Sequence, residues 1–198
     1  MSLEIINNPL FVTIQDMGRY GYSHIGVTNS GVMDEYAYFL AHKLLKNPIG
    51  TNILEIAFSN VIFKVNASTQ IAITGAICEF FINDIKKECW QTHNLKAGDI
   101  LKVGKIIEGN RVYLAVFGGF EIKKEFGSNS TTIKENLGGI DGNKLKKGDI
   151  LPFRSCIFNH IIRLKEKFIP KIEEKLTLRV VLSYQDEYFP KEEKEKFF

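Results

Sequence analysis

The sequence predicts a mainly β fold, an all-β barrel or sandwich carrying one clear helix. Short apolar runs rich in Val, Ile and Thr recur at close spacing, separated by Ser, Asn, Asp and Gly turns. Only one segment, 32–46, repeats its apolar residues at intervals of three and four. The composition, 44% hydrophobic and 25% charged in 198 residues, is that of an ordinary globular chain with enough length for a sizeable core.

The first strand is Phe11-Val12-Thr13-Ile14. A polar loop follows, with Gln15, Asp16 and Arg19 around Gly18, Tyr20 and Tyr22 around Gly21, and then Asn29-Ser30-Gly31. So much punctuation between two regular elements marks a loop whose backbone path matters. In the helix that follows, Met33, Ala37, Leu40, Ala41, Leu44 and Leu45 form one apolar face. Ser30 is the expected N-cap, Asp34 falls in the first turn, Lys43 and Lys46 in the last, and Asn47-Pro48 ends it. His42 lies off the most apolar stripe, where a surface position is the default.

Strands are then expected at 52–58, 61–65, 70–74 and 79–82. A turn at Asn83-Asp84 precedes a return strand at 87–90, and 111–117 is the strongest strand, closed by Gly118-Gly119. One motif occurs twice: Lys96-Ala-Gly-Asp-Ile-Leu101 and Lys146-Lys-Gly-Asp-Ile-Leu151 share the form K-x-G-D-I-L. Glycine takes the unusual dihedral, aspartate bonds local backbone, and the apolar pair enters a strand, so a recurring turn without chemistry is favoured. The first unit is expected to occupy 1–153, a charged connector 154–176, and a new unit 177–198 that opens with a strand at 177–182 and closes in a Lys/Glu-rich helical turn or two.

Several function classes are excluded by these totals. No apolar run approaches the ~18 residues of a membrane helix, and the N-terminus lacks the basic and apolar regions of a secretory signal. Three cysteines, Cys78, Cys89 and Cys156, with no CxxC or Cys/His cluster, argue against a disulfide framework and a metal site and fit a reducing cytoplasm. Cys78, in an apolar setting, reads as an inert buried thiol. A net charge of +3 with interspersed signs does not indicate nucleic acid.

Candidate chemistry concentrates in two loops. Arg19 suits bidentate binding of a carboxylate or phosphate, although an ion pair with Asp16 that pins the turn is the favoured reading. Ser128, Ser130, Thr131 and Thr132 of the GSNSTT loop offer hydroxyls and amides for an anion, or simply cap a strand. The loop lacks the lysine of a Walker P-loop. His24, the one histidine inside the opening loop, is a weaker candidate for acid–base work or substrate contact. No G-x-S-x-G is present.

The stretch T-I-Q-D-x-G-R-x-G-Y-x-x-x-G-V-x-x-S-G-x-M-D, from Thr13 to Asp34, resembles the start of the biotin-dependent carboxyltransferase-like family. That family includes the 5-oxoprolinase C-subunit, allophanate hydrolase subunit 2, KipA and the carboxyltransferase part of urea amidolyase. Matching blocks continue at Leu54-Glu55, 72–76, 96–99, 111–119, 127–131, 137–139 and 185–189. The resemblance implies two cyclophilin-like β-barrels, carboxyltransferase subdomains A and B, with the first at 1–153 and only the start of the second at 177–198. A closed second barrel takes on the order of a hundred further residues, so a fragment, a split gene product or a shortened form is expected. Ser183-Tyr184-Gln185 departs from the Gly-Pro-Gln usual in the family.

The function implied is that of a C-subunit-like component of an ATP-dependent 5-oxoprolinase, opening 5-oxo-L-proline to L-glutamate. It would work with a companion B-subunit (KipI-like, or allophanate hydrolase subunit 1) and a LamB/YcsF-type A-subunit. Phosphorylation would turn the inert amide oxygen into a leaving group. The alternatives are carboxyl transfer to urea or a related small amide, from carboxybiotin on a separate carrier, and a non-catalytic KipA-like regulatory role. The match raises Gln15 and Arg19 to candidate catalytic residues, and His24, Ser30, Met33, Asp34, Ser128, Ser130 and Thr131 to candidate substrate contacts.

Overall fold

The computed structural model describes residues 1–58, 60–171, 175 and 177–197. Its regular elements are β1 (Ser2–Ile5), β2 (Phe11–Gln15), α1 (Glu35–Leu45), β3 (Ile53–Ala57), β4 (Val61–Val65), β5 (Thr69–Ile82), β6 (Ile85–Lys86), β7 (Gln91–Leu95), β8 (Ile100–Val116), β9 (Ile150–Pro152) and α2 (Lys191–Phe197). The strands form one antiparallel sheet in the order β2-β3-β8-β4-β1-β9, with β5 on the other edge of β8 and β6 and β7 paired to β5. The sheet curls into a half-barrel, as a mainly β reading requires.

The curl follows from the two long strands. The first part of β8 pairs with β4 (Phe63↔Leu101) and the last part with β3 (Leu54↔Leu114). Along its other edge β8 meets β5, whose register shifts three times between Gly75 and Phe80. Such irregularities bend a strand and deepen its twist. Segments expected as separate strands at 70–74 and 79–82 are thus one bent strand, as are the KxGDIL strand and 111–117. The expected return strand at 87–90 is instead the two-residue β6 followed by β7, because Trp90 takes a left-handed φ of 59° and interrupts the ladder. The open edges β2 and β9 are covered by the loops between β8 and β9. Leu145 and Thr131 donate backbone bonds to Val12 and Ile14 (both 2.8 Å), and Phe120 bridges Phe153.

The inner face of the sheet is buried throughout and the outer face where α1 packs on it, and alternation divides the side chains between them. Val112, Leu114 and Val116 of β8 join Leu3, Ile14, Ile56, Phe63, Ile71 and Phe80 inside the curl. Tyr113 and Ala115 point to the outer face, where Ala37, Tyr38, Ala41, Leu44 and Leu45 of α1 cover Ile53 and Ala72. The helix begins three residues later than its periodicity suggested. Asp34 is the N-cap, its Oδ1 accepting from Ala37 N at 2.9 Å, whereas Ser30, expected as the cap, lies four residues back with φ 55°. Met33 therefore sits outside the helix and is 73% exposed. His42, expected at the surface, is only 2% exposed. Its ring lies edge-on to Tyr38 at 4.5 Å, because the strip of α1 facing the sheet is wider than the Leu/Ala stripe alone.

The repeated KxGDIL motif is a matched pair of turns. Lys96 N donates to Asp99 Oδ2 and Lys146 N to Asp149 Oδ2, both at 2.8 Å; Gly98 and Gly148 have φ of 94° and 90°. Gly98 N bonds Val65 O on β4 and Gly148 N bonds Ile5 O on β1, again both at 2.8 Å. Since β1 and β4 pair with each other antiparallel, the two turns sit at equivalent places across that pair.

Beyond Phe153 the chain lies along β7: Thr92 N donates to Ile162 O, and Ile162 N to Thr92 Oγ1, both at 2.8 Å, while Leu164 N bonds Trp90 O at 2.9 Å. Residues 177–182 form no strand, although one was expected there. A strand needs a ladder partner, and none lies beside this stretch among the described residues. The charged end does form a helix, α2.

Candidate functional site

The loop from Asp16 to Asp34 is fastened at both ends by buried carboxylates. At the first end, Asp16 follows directly from β2, whose last residues are fixed to β3 through Gln15↔Ile53. Its Oδ1 accepts from Ser128 Oγ (2.5 Å), Ser130 Oγ (2.6 Å) and Gly18 N (2.8 Å), and its Oδ2 from Asn129 N (2.6 Å). The GSNSTT loop cradles an anion, one of the two uses its composition allowed, and that anion is this chain's own carboxylate. Asn129 in turn bonds Asn52 and Ile122, which ties the cradle to β3 and to the loop after β8.

Arg19 is 1% exposed and forms no ion pair with Asp16 among the described residues, contrary to the favoured expectation. Its Nη1 donates to Thr132 Oγ1 at 2.6 Å and its Nη2 to Ser130 O, so it grips the backbone of the same loop whose hydroxyls hold Asp16. The guanidinium Nε, buried, has no hydrogen-bond partner. Gln15 donates to Thr13 Oγ1 and Thr131 O, and Ser30 Oγ donates to Thr131 O at 3.0 Å. Gln15, Arg19, Ser30, Ser128, Ser130 and Thr131 thus converge on one hydrogen-bonded knot. Glycine is required in it: a Cβ on Gly138 would overlap Ser130 O and crowd Arg19 Nη2, and one on Gly18 would come within 2.5 Å of Ser30 O.

At the second end Glu55, from the otherwise apolar run of β3, points to the outer face. Its Oε2 accepts from Met33 N and Tyr113 Oη, both at 2.9 Å, and Tyr113 Oη accepts from Asp34 N at 2.8 Å. Arg111 Nε stands 3.4 Å from Glu55 Oε1. Burial, reinforced by the Glu55 charge, pushes the Tyr113 hydroxyl well above its ordinary range, so it stays protonated as a donor. Asp34 and Arg111 then face a cavity of about 290 Å³, completed by Gly75, Ala76, Ile77, Trp90, Gly109, Asn110 and Pro170. A Cβ on Gly75 would overlap Arg111 O, so glycine permits the close strand approach that shapes this wall.

Met33 and Asp34 thus belong to the second fastening, while His24 lies apart from both, exposed in a 3-10 turn at the loop's tip. Sequence reasoning named Leu54-Glu55 and 111–119 as blocks of the resemblance but gave Glu55, Arg111 and Tyr113 no role in a site. The available signal was a carboxylate inside Ile53-Leu-Glu-Ile-Ala57, and a cation and a phenol alternating in a strand buried on both faces.

The fold is that of a carboxyltransferase domain, and the chain belongs to that family. The family model described as carboxyltransferase domain, subdomain A and B, matches residues 25–198. The chain is 36% identical over 151 residues to urea amidolyase of Lachancea kluyveri, covering 76% of this chain and 8% of that protein. It is also 36% identical over 152 residues to the 5-oxoprolinase C-subunit of Escherichia coli K12, covering 76% of this chain and 48% of that one. Among solved structures, urea carboxylase of Kluyveromyces lactis superposes with a TM-score of 0.80 at 30% identity over 87% of this chain and 16% of the other. The chain therefore spans about half of its 5-oxoprolinase relative and a small part of the amidolyase. No helix among the described residues is long and apolar enough to cross a membrane.

Proposed function

We propose that the chain acts as a C-subunit-like component of an ATP-dependent 5-oxoprolinase, together with a companion B-subunit and a LamB/YcsF-type A-subunit. The observation that carries this reading is the cavity that has both Asp34 and Arg111, an acid and a base, among its lining residues. A five-membered lactam offers the complementary pair, an N–H donor and a carbonyl oxygen. Negative charge developing on that oxygen is stabilised by Arg111, held in place by Glu55, and a fixed cation so aimed favours the transition state over the ground state. Gln15 and Arg19 act as positioning residues, since the Gln15 amide nitrogen and both Arg19 Nη atoms are spent on Thr131, Ser130 and Thr132. The GSNSTT loop does not fit a phosphate, because Asp16 already occupies its hydroxyls and amide. ATP is accordingly assigned to one of the partner proteins. When bound there it supplies the phosphoryl group that activates the amide oxygen.

The test is reconstitution with both partners and measurement of ATP-dependent glutamate formation from 5-oxo-L-proline. The lone chain is expected to turn over nothing. Arg111→Gln in the complex should lower kcat/KM by about 10²-fold, the scale of losing one oriented charge donor; an unchanged value removes Arg111 from the chemistry. The similarity to urea amidolyase supports a second reading, carboxyl transfer to urea. Carboxylated urea formed with a carboxybiotin carrier, with no glutamate from 5-oxoproline, selects it instead.

A further inference from the structure

Cys78 and Cys89 lie apart from both fastenings of the opening loop. Cys78 is buried on the bent part of β5, and Cys89 is half-buried just before β7, with 3.7 Å between their sulfurs. The β5–β6 hairpin returns the chain beside β5 and brings them together. β5 and β6 pair as Ile82↔Ile85 and Phe81↔Lys86, and Lys87 N continues the pattern by donating to Phe80 O at 2.8 Å. Beyond Lys87 that ladder stops, and β7 rejoins β5 in another register, Ile73↔Gln91, so Cys89 lies in the short crossing between the two with its sulfur against that of Cys78. From 3.7 Å the two sulfurs need only a modest approach to reach the roughly 2.05 Å of a disulfide.

We infer that Cys78 and Cys89 are a redox-active dithiol that closes to a disulfide in the presence of a small-molecule disulfide oxidant. The two thiols differ in readiness. The hydrogen bond from Cys78 favours the Cys89 thiolate, whereas that bond and burial hold Cys78 protonated. Cys89, the more accessible, attacks one sulfur of the oxidant and releases the other half as a thiolate. Cys78, giving up its proton, then attacks the Cys89 sulfur of the mixed disulfide and releases the second half. Two protein thiols and one disulfide become one protein disulfide and two small thiols; the two electrons and two protons pass to the oxidant. Trp90 follows Cys89 in the chain, lines the Asp34–Arg111 cavity and holds Leu164 N through its carbonyl, so closing the bond restrains one wall of that cavity.

The experiment treats the folded chain with oxidised glutathione, then counts thiols after denaturation and maps the peptides. The expected result is a fall from three free thiols to one, a mass loss of about 2 Da for two hydrogens, a peptide joining Cys78 to Cys89, and full reversal by dithiothreitol. Cys78→Ser should arrest at a glutathione adduct on Cys89, and Cys156→Ser should still close the bond. Three thiols surviving, a lasting wild-type adduct at Cys89, or a link through Cys156 would overturn the assignment. Emission of Trp90, the single tryptophan, should shift reversibly on oxidation; a bond that forms with unchanged emission overturns the coupling to the cavity.

Discussion

Asp16 and His42 are buried polar residues with opposite consequences. Asp16 is satisfied by four donors, and replacing it by Asn turns one of its two oxygens into a donor that faces either the Asn129 N–H or the Gly18 N–H beside Ser128 and Ser130. A buried group left with mismatched partners loses its compensation while retaining its desolvation cost. Asp16→Asn should therefore cost about 3 kcal/mol, seen as a lower urea midpoint with unchanged slope. His42 is different. Asn47 Nδ2 approaches its Nδ1 at 3.1 Å, and the Asn47 oxygen already accepts from Gly118 N, so the amide nitrogen is the donor and Nδ1 is unprotonated. Burial pushes the imidazole down to about 4 from an ordinary 6.5. The unfolded chain takes up its proton first, so stability is full above 6.5 and falls between 6.5 and about 4, by roughly 3 kcal/mol. Burial lowers His93 too, in the same direction. Melting temperatures from pH 7.5 to 4 should show the fall, and His42→Gln should flatten much of it.

At the scale of elements, the paired KxGDIL turns offer an internal control. Gly98 and Gly148 have left-handed φ and no atom near the place a Cβ would occupy, so alanine meets only the backbone cost of that conformation. We expect Gly98→Ala and Gly148→Ala each to lose about 1–2 kcal/mol and to match within about 0.5 kcal/mol in chemical denaturation. Gly138→Ala should lose clearly more, since its Cβ also strikes Ser130 O and would drive Arg19 from the knot. The turn was legible because its information is local: glycine for φ, aspartate for the amide three residues back. β2, β3, β4 and the body of α1 were legible for a similar reason, their period being written in consecutive residues. The joining of 70–74 with 79–82 was not legible, because the bulges between Gly75 and Phe80 depend on what β8 places opposite them. His42 and the start of α1 were misread for the same kind of reason. The sheet behind the helix decides which face is inside, and Tyr113 and Glu55, far away in sequence, fix where Met33 and Asp34 lie.

In the whole molecule the half-barrel has two apolar layers, and the outer one is completed from beyond Phe153. Ile162, Leu164 and Ile169 pack against the layer built by α1 and Trp90, Phe158 meets Phe117 edge-on at 4.8 Å, and Tyr36 Oη reaches Phe168 O at 2.8 Å. A charged composition suggested a plain connector here, since three spaced apolar residues among lysines and glutamates carry no period of their own. Their packing makes the segment a strap over the edge of β7, beside the wall that holds Trp90 and Pro170 against the Asp34–Arg111 cavity. A strap of this kind opens locally, at a free energy far below that of the whole sheet, because few backbone bonds and a modest apolar area hold it. Ile162→Asp places a charge in that apolar contact while leaving the interior of the curl untouched. We expect trypsin to cut at Arg154 or Arg163 at least about tenfold faster in this variant, the factor that 1.4 kcal/mol of easier opening gives when reclosing outpaces cleavage. The main unfolding transition should move little, because the inner core contains none of the strap. Equal cleavage rates would mean that 154–169 contributes nothing to holding the cavity wall, and a collapse of the main transition would make it part of the core.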